Sequence, residues 1–155
     1  MQIEKYQTET TVNKLVFSFK SIGSKIIEKR VLFTPISDSE NYGLEPMINL
    51  YNLAFGDWDE VLEDIDDAVR SNNGDADKIL ATVANTVIEF WMEYPDVPLF
   101  MTGSTPSRTR LYQNGISKNY IEINQRADIY GLFNYEWEKY KLGKNYDAFL
   151  ILRKR

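Results

Sequence analysis

The sequence predicts an α+β fold, with a mixed, largely antiparallel sheet of about six strands and about four helices packed mainly on one face. Its first third alternates apolar and polar residues, as strands do. Its middle carries long stretches with helical spacing, and single strand-like segments follow between helices. Strands first and interleaved elements later are typical of this class. A chain of 155 residues has the length of one domain, so we treat residues 1–155 as a single domain.

The N-terminal third is predicted to form strands. Two alternating runs are separated by turn residues at 21–24, and the second run ends at Pro35. A polar loop at 37–46 and an apolar strand at 47–55 follow, closed by Gly56. The apolar members of the two alternating runs are Leu15, Phe17, Phe19, Ile27, Val31 and Phe33.

Two helices are predicted next. Residues 58–70 carry apolar side chains at helical spacing, with Asp57 as N-cap and Glu60 as its capping-box partner. The segment 71–75 is a natural stop and restart between helices, and Asp75 caps the second one, residues 76–94. The apolar face of the second helix is Ile79, Leu80, Val83, Val87, Phe90, Trp91 and Tyr94. Its polar face is Lys78, Thr82, Asn85, Glu89 and Glu93.

The second half is predicted to alternate strands and helices. A short buried strand at 97–102 leads into a helix at 106–114, with Thr105 as N-cap, Pro106 at the first helical position and Gly115 past the end. Another short helix covers 117–126. Strands at 128–133 and 146–153 are joined by an aromatic-rich loop.

Composition excludes several kinds of chemistry. The chain contains no histidine and no cysteine, so Ser-His-Asp, Cys-His and thiolate-metal sites are ruled out. Its formal net charge of -5 argues against generic nucleic-acid binding, which usually needs a basic face. No apolar run is long enough to span a membrane, and the N-terminus lacks a signal-peptide pattern. We therefore expect a cytoplasmic protein.

The strand-to-helix junction at 102–108 is the strongest candidate site. A glycine followed by hydroxyl residues at a helix N-terminus offers backbone N–H groups and the positive end of the helix dipole to an anion. The predicted ligand is a phosphate-bearing or other anionic small molecule, and no cofactor is expected. The candidate ligand-binding residues are Gly103, Ser104, Thr105, Ser107, Arg108 and Arg110.

Arg108 is the central residue of this site. At the third position of the helix it projects inward, between Leu111 and Tyr112, whereas Arg110 projects outward to the rim. A buried guanidinium in the first helical turn opposes the helix dipole and needs an anionic partner. Either a carboxylate of the same chain pairs with Arg108, Asp66 being the candidate, or a ligand does.

An acidic stretch supports a second hypothesis. Seven carboxylates fall between residues 57 and 67, and most lie on the polar face of the predicted helix. Asp57, Asp66 and Asp75 form a candidate site for a hard metal such as Mg²⁺. Under that alternative the protein is a metal-dependent phosphoryl-transfer enzyme, such as a toxin or defence-type nuclease.

A third hypothesis is a homodimeric interaction module. Aromatic residues are enriched at protein interfaces as well as in cores. The aromatic residues concerned are Tyr130, Phe133, Tyr135, Trp137, Tyr140 and Tyr146.

Three motifs resemble a bacterial family known only as a domain of unknown function. They are FGD at 55–57, SNNGD at 71–75 and GSTPSRTRLY at 103–112, and the segment 145–149 is similar too. The resemblance covers residues 15–153. It implies a whole domain of that family and brings no activity, substrate or catalytic residue.

Overall fold

A single mixed sheet carries three helices in the part of the chain that the computed structural model describes, namely residues 4–37, 40, 43–44, 49–66 and 73–154. The elements are β1 (Glu9–Thr10), β2 (Val16–Ile22), β3 (Ile26–Pro35), β4 (Tyr51–Asp59), β5 (Asp64–Asp66), α1 (Ala76–Glu93), β6 (Leu99–Met101), α2 (Pro106–Lys118), α3 (Tyr120–Arg126), β7 (Ala127–Phe133), β8 (Glu136–Lys139) and β9 (Ala148–Arg153).

The strands follow the order β1-β2-β3-β4-β6-β9-β7-β8, and β5 pairs with β4. Every pair is antiparallel except β4 with β6, so the prediction of a mixed, largely antiparallel sheet is confirmed. The described residues form nine strands instead of about six. The additional strands β1, β5 and β8 contain two to four residues each, too short to show an alternating pattern.

The predicted helix at 58–70 is wrong within the described residues, and there are three helices rather than about four. The strand β4 continues through Gly56 to Asp59, and a turn leads into β5. The Asp59 carboxylate accepts hydrogen bonds from the backbone N–H groups of Val61 and Leu62, so a capping-type residue stabilises a turn that leads into β5. Val61 and Leu62 are 93% and 65% exposed, although their spacing suggested a buried stripe. Residues 67–70 and the start of the predicted 47–55 strand lie outside the described part.

Helices α1 and α2 lie where they are predicted, with two corrections. Thr82 is fully buried, although its position predicts the polar face of α1, because the N-terminal segment crosses α1 there and the Tyr6 N–H donates to Thr82 Oγ1 at 2.8 Å. Helix α2 continues through Gly115 to Lys118. A Cβ at Gly115 would lie 3.0 Å from Leu80 Cδ2, so this glycine allows α1 and α2 to pack closely.

The core lies mainly between the sheet and the helices. All three helices place apolar side chains in one cluster with Phe17, Phe33 and Phe149, which confirms helices packed mainly on one face. Strand β9 is buried on both faces. Its Phe149 and Ile151 join that cluster, while Ala148 and Leu150 join a smaller cluster on the opposite face.

Candidate functional site

The 102–108 junction forms a capped helix start, as predicted. Thr105 is the N-cap of α2 and its Oγ1 accepts from the Arg108 N–H at 3.2 Å, with Pro106 at the first helical position. The Gly103 N–H donates to Thr109 Oγ1 at 3.1 Å. A Cβ at Gly103 would lie 2.4 Å from the Thr109 nitrogen, so the glycine is needed where the loop meets the helix. These amides are therefore occupied by the chain itself.

The structure divides the predicted ligand-binding residues between two surface features. Gly103, Ser104 and Thr105 line a shallow depression of about 190 Å³ beside Asp147. Ser107 and Arg108 line a separate, larger cleft of about 430 Å³, which we call the central cleft. Arg110 borders both. The central cleft is lined by Lys29, Phe55, Gly56, Asp57, Asn73, Gly74, Asp75, Ala76, Ile79, Leu80, Ser107, Arg108, Arg110, Leu111 and Asn114.

The central cleft lies where β4 exchanges one neighbour for another. On one side β4 pairs with β6 at residues 51–52 and with β5 at residues 57–59. No described strand pairs with residues 53–56 on that side, and α2 packs there instead, with the Tyr112 hydroxyl 3.4 Å from the Phe55 carbonyl oxygen. Ligands in sheets with helical layers commonly bind where neighbouring strands diverge.

Arg108 projects into the core side of this gap, as the helical geometry predicts. It is only 9% exposed, and Nη2 lies 3.7 Å from the position of a Cβ on Gly56. Its Nε is buried and has no hydrogen-bond partner. Throughout the described chain, no residue forms an ion pair or hydrogen bond with its guanidinium, so the Arg108–Asp66 pair is not formed.

The other two cations of the central cleft have partners. Lys29 forms an ion pair with Asp57, its register partner across β3 and β4, and both side chains are mostly buried. Arg110 is half-buried, whereas the sequence predicts that it projects outward. It donates to Gln113 Oε1 and to the backbone carbonyl of Tyr146. Counting these residues with Arg108 and Asp75, the cleft carries one positive charge in excess.

Residues 73–76, at the start of α1, form one wall of the central cleft. Asp75 occupies the N-cap position, but no side chain caps this helix end. Asp75 Oδ2 instead accepts hydrogen bonds from the Tyr6 hydroxyl at 2.5 Å and the Ser21 hydroxyl at 2.6 Å. Burial and this hydrogen bond to Asp75 raise the pKa of Tyr6 above its usual value. The two hydrogen bonds from Tyr6 and Ser21 hold the Asp75 carboxylate in one orientation.

Asn73 fixes the same wall to the β2–β3 turn. Its Nδ2 donates to the Lys25 carbonyl at 2.8 Å and to Ser21 Oγ at 3.0 Å, and its Oδ1 accepts from the Lys25 N–H at 3.0 Å. Residues 73–75 therefore hold the start of α1 to the β2–β3 turn, whereas the sequence predicted a stop and restart between two helices; residues 71–72 lie outside the described part.

Sequence reasoning missed Lys29 and Ser21, for which a signal exists. Lys29 shares its alternation phase with Ile27, Val31 and Phe33, and Ser21 shares its phase with Phe17 and Phe19. Both are buried. A polar residue in phase with a buried strand face must reach a partner or a site.

The three candidate metal ligands do not converge. Asp57 and Asp75 line the central cleft, whereas Asp66 is the register partner of Asp57 on β5 and is not part of the lining. Within the described ranges, no three acidic side chains are grouped so that they could hold a metal ion.

The six aromatic residues of the predicted interaction segment occupy three environments. Tyr140 and Tyr146 are in the main core, Tyr130 and Trp137 pack on the smaller cluster, and Phe133 and Tyr135 are exposed at the β7–β8 turn. The Tyr146 hydroxyl donates to Glu138 Oε2 at 2.9 Å, and burial and this bond raise the pKa of Tyr146. Hydrogen bonds from Lys144 and Tyr146 lower the pKa of Glu138. The homodimer stays a prediction.

No helix in the described residues combines the length and apolarity needed to cross a membrane.

Residues 2–154 match the sequence model of a family described as "Family of unknown function (DUF6934)". Comparison with curated proteins and with solved structures gives no match. The match confirms the resemblance to a domain family of unknown function, and it covers nearly the whole chain. The chain belongs to the DUF6934 family of unknown function.

Proposed function

We propose that this domain binds a small organic anion in the central cleft, with Arg108 as the group that receives its phosphate or carboxylate. The observation that carries the proposal is the state of Arg108. The residue is nine-tenths buried and borders a cleft, its Nε is fully buried, and its guanidinium has no hydrogen bond or ion pair to any described residue. Burying an unpaired charge is costly, and buried charges are normally paired. A ligand anion supplies the missing partner.

A second feature of the cleft also favours an anion. The cleft lining includes Gly74, Asp75 and Ala76 at the N-terminus of α1, and no described side chain caps this helix end. Uncapped N–H groups and the helix dipole attract negative charge. Arg108 and the α1 N-terminus therefore act on the same cleft.

The size of the cleft sets the scale of the ligand. A volume of about 430 Å³ lies within the range of roughly 300–1,000 Å³ that is typical of small-molecule sites. It greatly exceeds what a lone phosphate ion fills. The anion is therefore one end of a larger molecule, and apolar lining from Phe55, Ile79 and Leu80 contacts its body.

The residues of the proposed site differ in role. Arg108 binds the anion directly, Ser107 and Arg110 border it, and Lys29 neutralises Asp57, so that this carboxylate repels the anion less. Gly103, Ser104 and Thr105 shape the start of α2 and so fix the direction of Arg108.

The test is the thermal stability of the wild type, Arg108→Met and Arg30→Met in rising inorganic phosphate at constant ionic strength. Arg30 pairs with Glu28, lies outside the cleft lining and matches the charge change. We expect saturable stabilisation of the wild type and Arg30→Met, reaching about 2.7 kcal/mol at 100 times Kd. Arg108→Met should show none. Equal phosphate responses in wild type and Arg108→Met would overturn the proposal.

A further inference from the structure

We infer that the ligand of the central cleft carries hydrogen-bond donors, hydroxyl groups above all, which bind the Asp75 carboxylate while the anion binds Arg108. The ligand class is a hydroxylated organic anion, such as a sugar or polyol phosphate or the corresponding acid. This inference rests on the proposed function and specifies the substrate class of the same site.

The first argument is that the Asp75 carboxylate has an oxygen available to accept hydrogen bonds. Both of its recorded hydrogen bonds, from Tyr6 and Ser21, end on Oδ2. Oδ1 receives no hydrogen bond from the described residues, and it is not fully buried. An ionised carboxylate has acceptor capacity on both oxygens. Oδ1 thus stays available to a donor in the cleft that Asp75 lines.

The second argument is that the Asp75 side chain does not cap α1, although Asp75 is the N-cap residue. An aspartate at an N-cap normally accepts from an amide of the first helical turn. Here Tyr6 and Ser21 hold the side chain away from that role, and Asn73 in turn holds Ser21. The three side chains come from the N-terminal segment, β2 and the residues before α1. A carboxylate positioned by so many partners is preorganised for specific recognition.

The third argument is charge. A second anionic group on the ligand would meet Asp57 and Asp75, which share the cleft with Arg108. Asp57 is neutralised by Lys29, whereas Asp75 is bonded only to hydroxyl groups among the described residues. A ligand with one anionic end and neutral donors at the other end matches this distribution. Hydrogen bonds to a charged acceptor are the strong ones.

The experiment compares ligands by titration calorimetry with the wild type, Asp75→Asn and Asp77→Asn. Ribose 5-phosphate and butyl phosphate share an anion but differ in donors, gluconate and hexanoate form the carboxylate pair, and inorganic phosphate is the reference. Asp77 is exposed in the first turn of α1, pairs with Lys118 and lies outside the cleft lining, so it is a matched control. Circular dichroism and melting temperature establish that each variant is folded.

We expect ribose 5-phosphate or gluconate to bind the wild type about 10- to 100-fold more tightly than its partner without donors. Asp75→Asn should remove most of this difference and leave inorganic phosphate binding in place, while Asp77→Asn keeps it. Whichever pair shows the effect identifies the anion. If Asp75→Asn is unstable, Tyr6→Phe, which keeps the carboxylate but removes one of the two hydrogen bonds that hold it, should reduce the difference about 3-fold or more.

Two failures are distinguishable. Equal binding of the members of both pairs, or a difference that Asp75→Asn leaves intact, overturns this inference while phosphate binding that depends on Arg108 upholds the proposed function. If Arg108→Met binds inorganic phosphate as the wild type does, the proposed function fails as well.

Discussion

Replacing Arg108 with methionine should stabilise the unliganded protein, although the residue is buried. Methionine keeps the unbranched aliphatic stem and its packing, and it removes a charge whose Nε has no partner. A buried unsatisfied polar group costs about 1–3 kcal/mol. The cation also opposes the dipole in the first turn of α2, by about 0.3–1 kcal/mol. We therefore expect the free energy of unfolding to rise by about 1–3 kcal/mol.

Arg110→Met is the matched comparison, two residues along the same helix. Its guanidinium donates to Gln113 Oε1 and the Tyr146 carbonyl, so its loss removes two hydrogen bonds, and of the two acceptors only Gln113 Oε1 keeps another donor among the described residues, the Tyr146 N–H. We expect a loss of about 1–3 kcal/mol. Urea denaturation followed by the fluorescence of the three tryptophans measures both variants. In a domain of this length 1 kcal/mol corresponds to about 2–4 °C in Tm, so opposite shifts are easily resolved.

The sign of the Arg108→Met effect decides between the two interpretations of this residue. If Arg108→Met loses stability as Arg110→Met does, Arg108 has a structural partner within the chain and the reasoning from its isolation is refuted. A gain shows that the protein retains a destabilising cation that only a ligand can neutralise, which is the usual conflict between stability and function.

Three further predictions concern the framework of the site. Gly131→Ala should lower the free energy of unfolding by about 1–3 kcal/mol, since its Cβ would lie 2.4 Å from the Tyr146 ring. An unchanged urea midpoint would contradict that packing. Thr82→Val should cost about 1–2 kcal/mol and speed hydrogen exchange at the Tyr6 amide, which loses its acceptor; unchanged exchange would show that the amide is not held there. The pKa values of Tyr6 and Tyr146 are raised in the folded state, so their contribution to stability is complete below about pH 10 and is lost as pH rises through the folded values. Ultraviolet titration should show tyrosine ionisation above the ordinary range, and loss of one such group in Tyr6→Phe assigns it; an unchanged titration curve would contradict the raised pKa of Tyr6.

The sequence predicted the elements whose pattern reflects burial directly. Helix α1 and strands β2 and β3 have long periodic stretches, and their apolar faces are buried as expected. The hairpin of β4 and β5 has apolar residues at helical spacing, so its sequence predicts a helix. Two of these residues, Val61 and Leu62, lie exposed in the turn. Spacing gives the direction of a side chain only if the element type is right, and the exposure of an apolar residue depends on tertiary neighbours.

The candidate site was predictable in part for the same reason. Helical geometry gave the inward direction of Arg108, and the hydroxyl of Thr105 gave the helix start. The isolation of Arg108 could not be predicted, because it depends on which carboxylates the fold brings near. The wall around Asp75 also depends on contacts between Tyr6, Ser21 and Asn73, which are far apart in the sequence.

The central claim is that the Arg108 guanidinium receives an anion, and its own N–H signal tests this most directly. In a ¹H–¹⁵N spectrum of the arginine side chains, the Nε–H signal of Arg108 is the one that disappears in Arg108→Met. We expect this signal to shift saturably with inorganic phosphate, at the same Kd that stabilises the protein thermally, while those of the other arginines move little. A signal that does not move over the range in which phosphate stabilises the fold, or that moves no more than the others, would contradict the account.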